Sequence, residues 1–195
     1  MLVNPSLPAK TVSEFISYAK ANPSQVNMAS AGVGSPQHLA GELFNAMAGI
    51  KMLHVPYRGA PPALTDLISG QVQVYFGSTA GAISYVRSGQ LRALAVTSST
   101  RSATLPEIPT VGESVRDYEA TTWYGFGAPR GTPAGVIEKL NAEITAALDD
   151  PTIKARMADL GGTAFPGSPG DFARFIADET ERWSRAVKFS GLKES

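Results

Sequence analysis

The chain has 195 residues, 43% apolar and 17% charged, which describes a folded protein large enough for one domain or two small lobes. Its 17 Lys and Arg balance 17 Asp and Glu, which argues against a broad basic face for nucleic acid, and no run approaches the ~20 apolar residues of a membrane span. There is no cysteine, so disulfides, thiol nucleophiles and Cys-based metal sites are excluded.

Met1-Leu2-Val3 followed by Asn4-Pro5 reads as the end of a strand entering a turn, with no basic segment or apolar run of a signal peptide. The expectation is a chain that continues upstream. Thr11-Val12-Ser13-Glu14 is a capping box opening a helix to about Ala21. A strand is predicted at Val26–Ser30. A glycine turn and Ser35-Pro36 then open a helix carrying Leu39, Leu43 and Met47. Strands follow at Met52–Val55, Val72–Phe76 and Leu91–Thr97, separated by helices at Ala63–Ser69 and Thr79–Arg87. The last strand is strongly apolar, the pattern of a parallel sheet covered on both faces. Alternating strands and helices predict βαβ units in a doubly wound α/β sheet.

Ser98–Ser114 is rich in Ser, Thr and Pro and reads as a crossover. A strand is expected at Ala120–Ala128. Three helices then follow: one with Val136, Ile137, Leu140, Ile144 and Leu148 on one face, one from Asp150-Pro151, and one from near Ser168. Three amphipathic helices need more sheet than one strand supplies, and the missing strands are expected upstream of Met1.

The turn from Ser30 to Leu39 carries the most chemistry. Gly32 and Gly34 allow a tight turn, and the helix that follows presents free N–H groups and a partial positive charge. From Gln25 to Gly41 there is no Asp, Glu, Lys or Arg. An anion held here would be held by backbone amides, by the hydroxyls of Ser30 and Ser35, and by His38. The competing reading is an ordinary βα turn with a serine cap. A dinucleotide loop matches in part only, because Gln37 stands where G-x-G-x-x-G needs its third glycine. No G-x-S-x-G elbow exists. His38, Glu42 and His54 could in principle hold zinc, yet nothing in the sequence places His54 beside the other two.

Two more strand ends carry similar residues: Tyr57 and Gly59 before the third helix, and Ser78 and Thr79 before the fourth. Ligands bind at such carboxyl ends in open α/β sheets. Trp123, in Thr121-Thr122-Trp123-Tyr124-Gly125, could line a cleft or sit as a core aromatic.

Several segments occur in an order that resembles a known family: Ala31-Gly32-x-Gly34-Ser35-x-x-His38-Leu39; Val55-Pro56-Tyr57-Arg58-Gly59 with Ala63-Leu64-Thr65-Asp66-Leu67; Gly89–Thr97; Pro106–Thr110; and Trp123-Tyr124-Gly125 with Ala128-Pro129-x-Gly131-Thr132-Pro133. They resemble the substrate-binding receptors of tripartite tricarboxylate transporters, the Bug or TctC-like family. The resemblance implies a periplasmic, two-lobed type II binding-protein fold with the first lobe incomplete here. Residues 1–115 would be lobe two and 116–195 the C-terminal part of lobe one. It further implies a small carboxylate ligand, membrane transporter subunits as partners, no cofactor, no metal and no catalysis. The implied ligand residues are Ser30, Ala31, Gly32, Gly34, Ser35, His38, Tyr57, Gly59, Ser78, Thr79 and Trp123. Many members carry a polar Asp-Asn pair where this chain has Gly77-Ser78-Thr79, which predicts weaker selection for amino acids. A metabolite-sensing module on the same fold is the alternative function. Unpaired strands would favour a homodimer.

Overall fold

The computed structural model describes residues 1–190, and the chain divides into two compact units: Met1–Thr122 with the chain from Ala186, and Trp123–Arg185. The first unit runs β1 (Leu2–Val3), α1 (Val12–Ala21), β2 (Asn27–Ser30), α2 (Pro36–Ala48), β3 (Leu53–Pro56), α3 (Ala60–Ile68), β4 (Val74–Tyr75), α4 (Thr79–Arg87) and β5 (Arg92–Ala93). Local chemistry sets the helix starts. Thr11 accepts the Glu14 N–H at 3.1 Å, as a capping residue should. The Glu14 carboxylate reaches back one residue further than expected, to the Lys10 N–H at 2.6 Å. Helix α1 then buries Val12, Phe15 and Ala19, one stripe at helical spacing.

The sheet order is β3-β2-β4-β1-β5. Strand β2 pairs in parallel with β3 and β4, whereas β1 lies antiparallel between β4 and β5. The four strands β2 to β5 therefore share one direction, as βαβ units require, and the α/β class is as predicted. Central positions are buried on both faces: Val3, Met28, Ala29, Ser30 and Val74 are each 0% exposed. Edge strand β3 is not, and its Leu53 is 59% exposed.

The parallel strand expected at Leu91–Thr97 is a correction. Its ladder is only β5, and its neighbour is β1, antiparallel. A two-residue strand has no periodicity to read, so the insertion of β1 was invisible in the sequence. Beyond β5 the Leu94 N–H donates to Met1 O at 2.9 Å and the Met1 amino group to Ala95 O at 2.8 Å. The Ser98–Ser114 excursion returns to the same edge, where Val96 bridges Thr110 in parallel. A buried aromatic group then holds α2 in place. The Phe44 ring sits 6.1 Å from Phe15, 5.5 Å from Phe76 and 5.9 Å from Tyr118, whose hydroxyl donates to Ala40 O at 2.9 Å.

The second unit contains α5 (Ala134–Asp149), α6 (Pro151–Asp159) and most of α7 (Pro169–Ser190), close to the three helices predicted. Asp150 caps α6 by accepting the N–H groups of Thr152 and Ile153. The strand expected at Ala120–Ala128 does not form among the described residues, and Tyr124 and Phe126 are 90% and 77% exposed. Helices α5 and α6 bury no residue in spite of their apolar stripes. An amphipathic stripe is buried only against another element.

Candidate functional site

Strand β2 ends at Ser30 and α2 begins at Pro36, so five residues make the turn. Gly32 and Gly34 hold φ values of +134° and +75°. That left-handed backbone lets the chain reverse within the turn. Ser35 caps α2, accepting the His38 N–H at 3.3 Å and donating its hydroxyl to Gly32 O at 2.7 Å. The Gly32 N–H donates to Ser30 Oγ at 3.1 Å and the Gly34 N–H to His38 Nδ1 at 3.1 Å. Much of the turn's hydrogen-bonding capacity thus serves the turn itself. The N–H groups of Val33 and Gln37 carry no hydrogen bond among the described residues. Both lie at the positive end of the 13-residue helix α2.

The structure corrects one expectation outright. His54 does lie beside His38: the rings stack with centroids 3.7 Å apart and planes 13° from parallel. His54 Nε2 is 2.6 Å from Ser30 Oγ, and His38 Nε2 is 3.9 Å from Glu42 Oε1. Burial pushes the His38 imidazole below its usual range, against the pull of Glu42. Burial, and then the neighbouring His38, lower His54 to about 4. Both rings are therefore neutral near pH 7. Stacked imidazoles hold their ring lone pairs in separate parallel planes, a poor arrangement for converging on one ion. Among the described residues no three His, Asp or Glu side chains are placed to hold a metal.

The β3–α3 turn is tied to the first. The Tyr57 N–H donates to Ser30 O at 3.0 Å and the Gly59 N–H to Ala31 O at 3.2 Å. Gly59 has φ +102°, and the Tyr57 hydroxyl donates to Asp66 Oδ2 at 2.7 Å across α3. Ser30, Ala31, Gly32, Gly34, Ser35, His38, Tyr57 and Gly59 accordingly form one constellation. Ser78 caps α4, accepting the Gly81 N–H at 3.4 Å, and Thr79 begins that helix. Their turn follows β4, which adjoins β2 in the sheet, so three turns leave the same end of three adjacent parallel strands. Trp123 belongs to the second unit, where its ring meets Phe172 and Phe175 edge-on at 5.7 and 5.2 Å. Sequence reasoning gave Asp66 no role, and His54 none beyond a doubtful metal ligand. The place of His54 follows from strand register, which pairs it with Met28, two residues before Ser30 on a parallel neighbour, and no local pattern in the sequence sets that register.

Residues 1–192 match the model of the Tripartite tricarboxylate transporter family receptor. The chain belongs to that family. BugT of Bordetella pertussis is 35% identical over 194 residues, which is 99% of this chain and 60% of BugT. A solved structure described as R. palustris Rpa4515 with adipate superposes with a TM-score of 0.94 at 35% identity, over 98% of this chain and 64% of that one. The periplasmic binding protein BugD superposes at 0.89 with 31% identity, over 100% of this chain and 66% of its own. This receptor-family chain therefore has a periplasmic-binding-protein fold and spans 60% to 66% of the length of these three proteins. The family resemblance carried by the Ala31–Leu39 motif and those that follow it holds.

Proposed function

We propose that the chain is the larger part of a periplasmic receptor that binds a small carboxylate and delivers it to the membrane subunits of a tripartite tricarboxylate-type transporter. It binds without turnover. The observation that carries this reading is the β2–α2 turn: two N–H groups without partners among the described residues at a helix N-terminus, flanked by serine hydroxyls, in a segment without formal charge. Rpa4515, a relative of the same fold whose structure is described with adipate, supports the ligand class. In this reading residues 1–115 form the ligand-binding second lobe and 116–195 the returning part of the first; residues 191–195 lie outside the described residues. Ser78 and Thr79 contribute further contacts to the bound acid.

Calorimetric titration with adipate, succinate and aspartate tests it. Succinate is expected to bind more tightly than aspartate, because Gly77-Ser78-Thr79 offers no carboxylate to an ammonium group. Gln37→Pro removes one of the two N–H groups at a first-turn position where proline is tolerated, as Pro61 and Pro62 are in α3. It should weaken the bound acid by roughly tenfold, the worth of a hydrogen bond to a charged group. Arg58→Ala should change affinity by less than about twofold on the same scale. A large loss from Arg58→Ala, or tighter binding of aspartate, would sink the neutral-dipole reading.

A further inference from the structure

Beside the turn, buried His38 stacks on half-buried His54, a pair of titratable groups that the carboxylate reading leaves without a task. Its ring nitrogens meet the turn and Ser30, the strand residue that leads into it. His38 Nδ1 accepts the Gly34 N–H at 3.1 Å. His54 Nε2 meets Ser30 Oγ at 2.6 Å, and that hydroxyl both accepts the Gly32 N–H at 3.1 Å and lies 3.0 Å from Gly32 O. The two rings thereby reach both glycines whose left-handed backbone shapes the turn. His38 also lies on α2 itself, and Ser35 fixes its N–H.

We propose that His38 and His54 are positioning residues for the Gly32–Gly34 turn, and that the turn keeps its binding shape only while His38 is neutral. The proposal rests on the carboxylate reading of this turn. The reason is a count of protons. An imidazole has one acceptor nitrogen when neutral and none when charged. At His38 the acceptor is Nδ1, so the ring proton sits on Nε2, on the side of Glu42. A second proton would go to Nδ1 and set two donors against each other along the 3.1 Å contact with Gly34. His54 differs, because Ser30 Oγ can either donate to its Nε2 or accept from it. His38 is thus the sensitive member. The charged or titratable groups acting on the pair are Glu42 from α2, which favours the charged form of His38, and His38 itself, which disfavours the charged form of His54 on β3. Strand β2 and the turn contribute hydroxyls and backbone only. Burial outweighs Glu42, so the switch falls on the acid side of pH 6.5.

Two variants separate positioning from general stability. His38→Asn puts an amide oxygen near the Nδ1 position and cannot titrate. His38→Phe keeps a stacking ring and removes the acceptor. Exchange protection of the Gly34 N–H, followed by NMR from pH 7.5 to pH 4.5 on the full chain, should fall on acidification in the wild type. It should stay level in His38→Asn and be low throughout in His38→Phe. Succinate and adipate affinity should follow the same pattern, with losses of roughly three- to tenfold, the size of one net hydrogen bond. Equal behaviour of the two variants, or Gly34 protection indifferent to pH in the wild type, overturns the proposal. Should His38→Phe fail to fold, the contrast between wild type and His38→Asn decides alone. If exchange follows the expected pattern while neither acid binds at pH 7.5, the positioning role stands and the carboxylate reading fails.

Discussion

Gly59 occupies a backbone region that other residues adopt only under strain, with φ +102° and ψ 175°. A Cβ placed there would meet nothing closer than Pro61 at 3.7 Å, so space is not the constraint. The cost of Gly59→Ala is conformational, about 1 to 3 kcal/mol of stability. Because the Gly59 N–H reaches Ala31 O, relaxing this residue also loosens the link between the two turns. Urea denaturation of the variant measures the first effect and succinate titration the second. A variant as stable as wild type would show that the turn has another conformation of similar energy. At this scale the sequence was informative about backbone: Gly32, Gly34, Ser35 and Gly59 stand where left-handed angles and a cap were needed. It was silent about pairing. Ser30 and His54 are 24 positions apart, and only strand register makes them neighbours.

Helix α2 and strand β3 each carry a histidine that makes the fold sensitive to acid. His54 is lowered to about 4 in the folded chain, and His38 is lowered too, whereas an unfolded histidine titrates near 6.5. Between those values the unfolded chain binds more protons. The stability these two histidines contribute is therefore full above about pH 6.5, is lost as pH drops toward 4, and changes no further below that. Urea unfolding at pH 7.5 and pH 5.0 should show a lower midpoint at the acidic value. His54→Gln, which keeps a polar group near Nε2 without titrating, should narrow that gap; an unchanged gap would assign the acid sensitivity elsewhere. The helices themselves were legible, since Ser35, Ser78 and Asp150 each sit at a cap and each accepts the expected N–H. The strands were less so. Two-residue ladders such as β1 and β5 owe their existence to each other rather than to their own pattern.

Across the whole chain the two units are unequal. The first has a closed aromatic and aliphatic core. The second leaves Tyr124, Phe126 and Phe165 at 90%, 77% and 81% exposed, and its α5 and α6 bury nothing. Exposed apolar surface on this scale drives association. Edge strand β3 adds unpaired backbone with Leu53 outward. Sedimentation velocity over a concentration series should reveal self-association that grows with concentration. A monomer unchanged at high concentration would count against it.

The sequence alone determined the α/β class, the capped helix starts, the glycine turns and the family motifs. Each depends on residues a few positions apart, within reach of one cap, one turn or one period. Helix α3, which has no side-chain cap, begins at Ala60, three residues before the expected Ala63. Tertiary structure alone decided the antiparallel insertion of β1, the stacking of His38 on His54, the bond from Tyr57 to Asp66, and the failure of Ala120–Ala128 to pair. Those outcomes depend on which strand finds which neighbour. Main-chain hydrogen bonding is nearly the same for every residue type, so local sequence says little about who the neighbour will be.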